Sequence, residues 1–211
     1  MNVLVTGANG QLGRSIRDIA KDYKGLHFRF ADRTDLDISV PGHVLKFFEE
    51  FRPKYCINCA AYTQVDQAEK NPDAAYAVNV EGVRNLVEAG KRYGTILIHI
   101  STDYVFDGEK ATGYLPLDKP NPINVYGKTK LEGEQIIREN MKKYFIVRTS
   151  WLYSKDYGPN FYLTILDKAR KGEDLKVVDF QRGCPTDTAN LARYILGIIQ
   201  SDEADYGISH F

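Results

Sequence analysis

"VLVTGANGQLGRSI", residues 3–16, begins as an apolar strand, turns through Gly7, Gly10 and Gly13, and leaves as a helix pattern. In a Rossmann unit such glycines allow a tight turn, let the backbone approach a pyrophosphate, and let helix and strand pack closely. The helix N-terminus then faces the anion. The spacing is G-x-x-G-x-x-G rather than G-x-G-x-x-G, so the loop is an imperfect copy of the dinucleotide fingerprint, and glycine turns also arise for structural reasons alone. Gln11 and Leu12, inside the turn, join the three glycines as candidate cofactor contacts.

Outward from this turn, short apolar runs alternate with longer helical patterns. The alternation predicts an α/β fold, a Rossmann-type doubly wound parallel sheet covered by helices. Strands are expected over 2–6, 26–31, 55–60, 95–101, 144–149 and 175–178, and helices over 11–23, 40–52, 72–92, 125–141, 160–171 and 186–200. Asn71-Pro72 offers a cap with proline at the first helical position, and Lys91-Arg92-Tyr93-Gly94 gives a basic last turn followed by glycine. The stretch "DGEKATGYLPLDKPNPIN", 107–124, carries too many prolines and glycines for regular structure, and a loop this long is often functional.

Composition narrows the partners. Of 211 residues, 43% are hydrophobic, enough for a sizeable core, and 28 basic residues balance 28 acidic ones. No field gathers nucleic acid, and no apolar run approaches the roughly 20 residues that span a bilayer. The expected partner is a small molecule. "MNVLVTG" enters a strand without a signal-peptide pattern, so a cytoplasmic setting is expected. Cys56 and Cys59 form a C-x-x-C, but in a strand their side chains diverge to opposite faces, so core packing is preferred to redox or metal chemistry. No metal ligands are assigned. His99, inside "TILIHIS", is read as a satisfied core imidazole.

Asp32 follows the second strand at the separation expected of an acid that binds the adenosine ribose, which favours NAD. Its neighbour Arg33 suits the extra phosphate of NADP, so NADH and NADPH both stay open. Asp37 either approaches adenine or caps the following helix.

"VYGKTKLEGE", 125–134, sets Tyr126 and Lys130 one turn apart on one helix face. An ammonium there is expected to lower the phenol's pKa and fit it for proton exchange with a substrate oxygen. "HISTDYVFDG" ends the preceding strand at Thr102 and Asp103, where open parallel sheets bind ligands. A hydride donor, a polarising Thr102 hydroxyl and a tyrosine acid together make a carbonyl-reducing site.

Gly7-x-x-Gly10-x-x-Gly13, "NCAAYTQVDQAE", "STDYVFDG", "NVYGKTKLEGE", "RTSWLY" and "GCPT" together resemble the extended short-chain dehydrogenase/reductases, and within them the dTDP-4-dehydrorhamnose reductase family. The resemblance covers essentially the whole chain. It implies NAD(P)H-dependent reduction of the 4-keto group of dTDP-6-deoxy-L-lyxo-4-hexulose to dTDP-L-rhamnose. Thr102 would orient the ketone, Tyr126 donate the proton, and Lys130 bind the nicotinamide ribose and tune Tyr126. Ala60, Ala61 and Tyr62 match the cofactor-lining segment; Asp103, Tyr104, Trp151 and Asn160 fall where the sugar nucleotide is met. For Trp151 the plain alternative is a core aromatic. Cys184-Pro185-Thr186 either closes over substrate or starts the next helix.

The family's division would place the NAD(P)-binding domain at 1–150 and part of a substrate-binding region at 151–211, since family members usually continue beyond "YGISHF". A homodimer is the assembly the resemblance suggests. Related dehydratases place Asp-Glu after the threonine; Thr102-Asp103-Tyr104 lacks that glutamate, which favours reduction over elimination. Two other readings are a reductase of a different 4-keto nucleotide sugar and a non-catalytic subunit resembling the beta subunit of methionine adenosyltransferase. The intact Thr102, Tyr126 and Lys130 weigh against the latter.

Overall fold

The computed structural model describes residues 1–179, 181–201 and 205–211. Strands β1 (Asn2–Thr6), β2 (His27–Ala31), β3 (Tyr55–Asn58), β4 (Ile96–Thr102) and β5 (Tyr144–Thr149) form the body of one sheet. The short β6 (Leu152–Tyr153) and β7 (Thr186–Asp187) pair with each other outside it, and β8 (Gly207–His210) rejoins it beside β5. The order is β2-β1-β3-β4-β5-β8, every pairing parallel. The chain goes one way from β1 to β2 and the other way to β3, so the crevice where ligands bind such sheets opens above β1 and β3.

The helices are α1 (Gln11–Ala20), α2 (Pro41–Phe51), α3 (Val65–Lys70), α4 (Pro72–Tyr76), α5 (Gly82–Tyr93), α6 (Val125–Asn140), α7 (Phe161–Lys171) and α8 (Thr188–Gln200). Strand alternation divides the core into two layers. Leu4, Cys56 and Leu97 join the cluster under α2, α5 and α6, while Val3, Val5, Ile57 and Ile98 join the one under α1 and α8. Cys56 and Cys59 fall on opposite layers, both as free thiols, which is the divergence the strand pattern predicted.

Two expected elements are corrected. The helix expected over 72–92 breaks into α4, a π-helical segment at Ala77–Glu81, and α5; Gly94 ends α5 with φ +69°, after the basic last turn. The wider π turn carries Asn79 into a clamp on Tyr62, whose N–H donates to Asn79 Oδ1 at 2.9 Å and whose carbonyl accepts from Nδ2 at 3.1 Å. Residues 175–178 form no strand: Leu175, Val177 and Val178 are exposed, and the run pairs with neither sheet. The sixth strand is instead β8, in "GISH". Helix α8 packs against α1, and β8 completes the sheet beside β5, so the last described segments return to the main body.

Among the described residues, no helix is long and apolar enough to cross a membrane.

Candidate active site

At the β1–α1 turn, Gly7 has φ +61°, and a Cβ there would lie 2.7 Å from the Ala60 nitrogen beyond β3. A Cβ on Gly13 would lie 2.7 Å from the Gly7 carbonyl oxygen, so α1 sits as close to the turn as backbone allows. Gly10 is the N-cap residue of α1 and supplies no side-chain cap. The first N–H groups of α1 are thereby left for an anion, and the cradle fits a pyrophosphate.

This turn floors a cavity of about 800 Å³, within the usual range for small-molecule sites. Its wall includes every residue assigned to the cofactor from sequence: Gly7, Gly10, Gln11, Leu12, Gly13, Asp32, Arg33, Asp37, Ala60, Ala61, Tyr62, Tyr126 and Lys130. At the adenosine end, Asp32 accepts from Asn9 Nδ2 at 2.6 Å and from the Thr34 hydroxyl and N–H, each at 2.7 Å. The Thr34 hydroxyl, with the backbone N–H groups of Thr34 and Asp35, holds the Asp32 carboxyl below the usual range. Arg33 extends into solvent and donates to Asp37 at 3.2 Å. Asp37 also accepts from the Ser39 N–H and hydroxyl, closing a turn ahead of α2, whose N-cap is Val40; Asp37 is not the helix cap.

Thr102 ends β4. Its hydroxyl donates to Asp103 Oδ1 at 3.1 Å and accepts from the Tyr104 N–H at 3.2 Å, capping a 3-10 turn at Asp103–Val105. Burial raises the Asp103 carboxyl above its ordinary range, against the Thr102 bond. Asn124 caps α6 by accepting from the Gly127 N–H at 2.7 Å, which places Tyr126 in the first turn. The glycine between tyrosine and lysine has a steric reason, for a Cβ at Gly127 would overlap the Tyr104 carbonyl oxygen. The Tyr104 and Tyr126 rings meet edge to face at 5.7 Å.

The relation between Tyr126 and Lys130 differs from expectation. Burial pushes the Tyr126 phenol up to about 12, with Asp103 and Tyr104 adding to the rise and the Thr102 hydroxyl opposing it. Lys130 does not lower it, because Nζ is turned to β4: it donates to the Ile100 carbonyl at 2.7 Å and lies 3.2 Å from His99 Nε2. The phenol is therefore held protonated at neutral pH. Lys130 is itself buried, which lowers it to about 8, against Glu134 and Cys59.

Behind Thr102, Glu134 accepts from the Ser101 hydroxyl at 2.6 Å and from Arg148 Nε and Nη2 at 2.9 and 2.6 Å, with both charged side chains buried. Arg148 Nη1 also donates to the Pro116 carbonyl, tying down the proline-rich loop. Sequence reasoning missed Asn9, Asn79, Glu134 and Arg148. Glu134 stands one turn after Lys130 on the same helix face, and that periodicity was the available signal.

Asp103, Tyr104 and Trp151 line the same cavity. Trp151 is 42% exposed at φ +45°, so it is not a core aromatic. Asn160 is absent from the wall: its Oδ1 caps α7 through the Leu163 N–H, and its Nδ2 donates to Gln11 Oε1, Ser154 O and Tyr157 O. Its fully occupied amide makes it a brace for its own segment rather than a sugar contact. Cys184 is fastened to Ser150 in both directions, and Asp187, not Thr186, caps α8.

The sequence pattern of the family described as RmlD substrate binding domain matches residues 1–211. The chain belongs to that family. Among RmlD relatives, the dTDP-4-dehydrorhamnose reductase of Aggregatibacter actinomycetemcomitans is 42% identical over 99% of this chain and 72% of its own. A solved dTDP-4-dehydrorhamnose reductase from Clostridium acetobutylicum matches all of this chain and 74% of its own, with TM-score 0.94 and 46% identity. The Bacillus anthracis dTDP-4-dehydrorhamnose reductase, solved in complex with NADP, matches all of this chain and 73% of its own, with TM-score 0.93 and 43% identity.

Proposed function

We propose that this RmlD-family chain is an NAD(P)H-dependent reductase that converts the 4-keto group of dTDP-6-deoxy-L-lyxo-4-hexulose (dTDP-4-dehydro-6-deoxy-L-mannose) to the alcohol of dTDP-L-rhamnose. The observation that carries the chemistry is the convergence of Thr102, Tyr126 and Lys130 on the cavity floored by the glycine turn. The sugar's identity rests on the relatives. The sheet and its helices hold the dinucleotide, and 151–187, with Trp151 at the mouth, meets the sugar nucleotide.

A bound nicotinamide supplies a hydride for C4 of the sugar. Thr102 turns its hydroxyl from Asp103 to the ketone oxygen and polarises the carbonyl. Tyr126, protonated because it is buried, gives its proton to that oxygen as negative charge develops there. Lys130, with one N–H committed to the Ile100 carbonyl and His99 Nε2 beside Nζ, keeps another for the cofactor ribose and leaves Tyr126 to do the acid chemistry.

The test is NADPH and NADH oxidation with the dTDP-linked 4-keto sugar, beside its UDP- and GDP-linked counterparts. Turnover confined to the dTDP sugar is expected. Turnover only with another nucleotide would reassign the substrate, and tight cofactor binding with no turnover on any of them would favour a binding subunit.

A further inference from the structure

Beneath Lys130, a row of polar side chains crosses the sheet inside the core. Thr6, Asn58 and His99 are lateral neighbours in β1, β3 and β4, on the face that α6 covers, and none is more than 1% exposed. Thr6 Oγ1 donates to Asn58 Oδ1 at 2.7 Å, Asn58 Nδ2 lies 3.0 Å from His99 Nδ1, and His99 Nε2 lies 3.2 Å from Lys130 Nζ. Valine or isoleucine would fill such positions without the cost of burying polar groups. The proton transfer described above uses none of the three.

Counting donors and acceptors gives the row a function. The Ala60 N–H (3.3 Å) and the Thr6 hydroxyl both point at Asn58 Oδ1, so Asn58 Nδ2 faces the imidazole. Nδ2 only donates, hence His99 Nδ1 accepts and the neutral ring carries its proton on Nε2, facing Lys130. An ammonium cannot accept that proton, whereas a neutral amine can. With Lys130 charged, His99 Nε2 must instead accept, Nδ1 carries the proton, and the Asn58 amide turns over. Burial and the nearby Lys130 keep His99 from becoming an imidazolium. The remaining ionisable groups bearing on Lys130 are the Cys59 thiol beyond β3 and Glu134 on α6, itself paired with Arg148 from β5; Tyr126 and Asp103 lie on the cavity side.

We propose that His99 is a positioning residue for Lys130: with the Ile100 carbonyl it fixes Nζ so that the free N–H enters the cavity, and its tautomer changes with the charge on Lys130. The Thr6-Asn58-His99 row then accommodates loss or gain of that charge by reorienting hydrogen bonds inside the sheet. The positioning part rests on the proposed cofactor role of Lys130; the tautomer change does not.

The first test is nitrogen-15 NMR of His99 in the 211-residue chain without cofactor. The Nδ1–H tautomer is expected below a transition near about 8 and the Nε2–H tautomer above it. In Lys130→Met the ring should stay Nε2–H throughout. A wild-type tautomer that does not change with pH overturns the coupling. The second test is NADPH affinity by fluorescence. His99→Gln, which keeps an acceptor, should stay within about threefold of wild type, while His99→Leu should weaken binding about tenfold, the size of one lost hydrogen bond. Equal affinity in both variants overturns the positioning role. Neither readout needs the sugar, so failure of the reductase assignment would be seen separately.

Discussion

The sheet's C-terminal edge and the 151–187 excursion are built differently. In α6, Lys130 and Glu134 are buried among Gly127, Gly133, Ile136 and Ile137, whereas α7 buries no residue fully and the described residues of 171–185 are all exposed. The groups proposed to react are thus held by the core itself: Thr102 ends a central strand, and Lys130 is pinned to the Ile100 carbonyl. The excursion is held by a few polar ties, chiefly the Asn160–Gln11 contact and the Ser150–Cys184 pair. On the proposed function, chemistry would be fixed by the part of the chain that folding fixes, and substrate choice left to the part with more freedom to vary.

Substitutions on the two sides should separate accordingly. Tyr126→Phe should cost about 10²- to 10⁴-fold in turnover while leaving NADPH affinity unchanged; turnover near wild type would remove Tyr126 from the acid role. Glu134→Ala, which strands the buried Arg148 guanidinium, should lower unfolding free energy by about 3–5 kcal/mol. The contrasting ion pair on α7, Lys171–Asp167, is well exposed, and Lys171→Ala should shift stability by no more than about 0.5 kcal/mol. Comparable losses from these two changes in urea titrations would erase the distinction between the regions.

The pH profile sharpens the same contrast. Lys130 is ammonium below about 8 and amine above it, while the Tyr126 phenol stays protonated to about 12. NADPH affinity should therefore fall as pH rises through about 8, and Lys130→Met should remove that limb. A limb only above 10 would show that burial does not depress the lysine. The same depression acts on stability. The unfolded lysine binds its proton more tightly than the folded one, so its burial cost is full below about 8 and is relieved as pH rises toward the ordinary lysine value. Smallest in effect is Trp151→Ala, expected to raise the sugar-nucleotide KM about tenfold with stability unchanged, since the ring is exposed at the cavity mouth. A large loss of stability would return Trp151 to a packing role.

The sequence was legible where chemistry is local. The glycine turn, Asp32 after β2, and the Tyr126–Lys130 spacing all rest on neighbours within a turn or a strand, and each lines the cavity. It was less legible where partners are distant. His99 was read as a satisfied core imidazole, and it is satisfied, but one of its partners is Lys130, 31 positions away. Four-residue β8 has too little alternation to announce itself and is defined by pairing with β5. The run at 175–178 has strand-like residues that join neither sheet. Asn160 was assigned to the sugar from its place after "RTSWLY", yet its amide is consumed by the α7 cap and by Gln11.

The most direct measurement uses NADPH carrying deuterium at the transferable position of the nicotinamide, mixed with dTDP-6-deoxy-L-lyxo-4-hexulose and followed by NMR. The account predicts one deuterium at C4 of the dTDP-L-rhamnose formed, with Tyr126→Phe binding the cofactor but accumulating the labelled product at least about a hundredfold more slowly. Deuterium left on the cofactor while the sugar remains a ketone, in a wild-type chain saturated with NADPH, would contradict it.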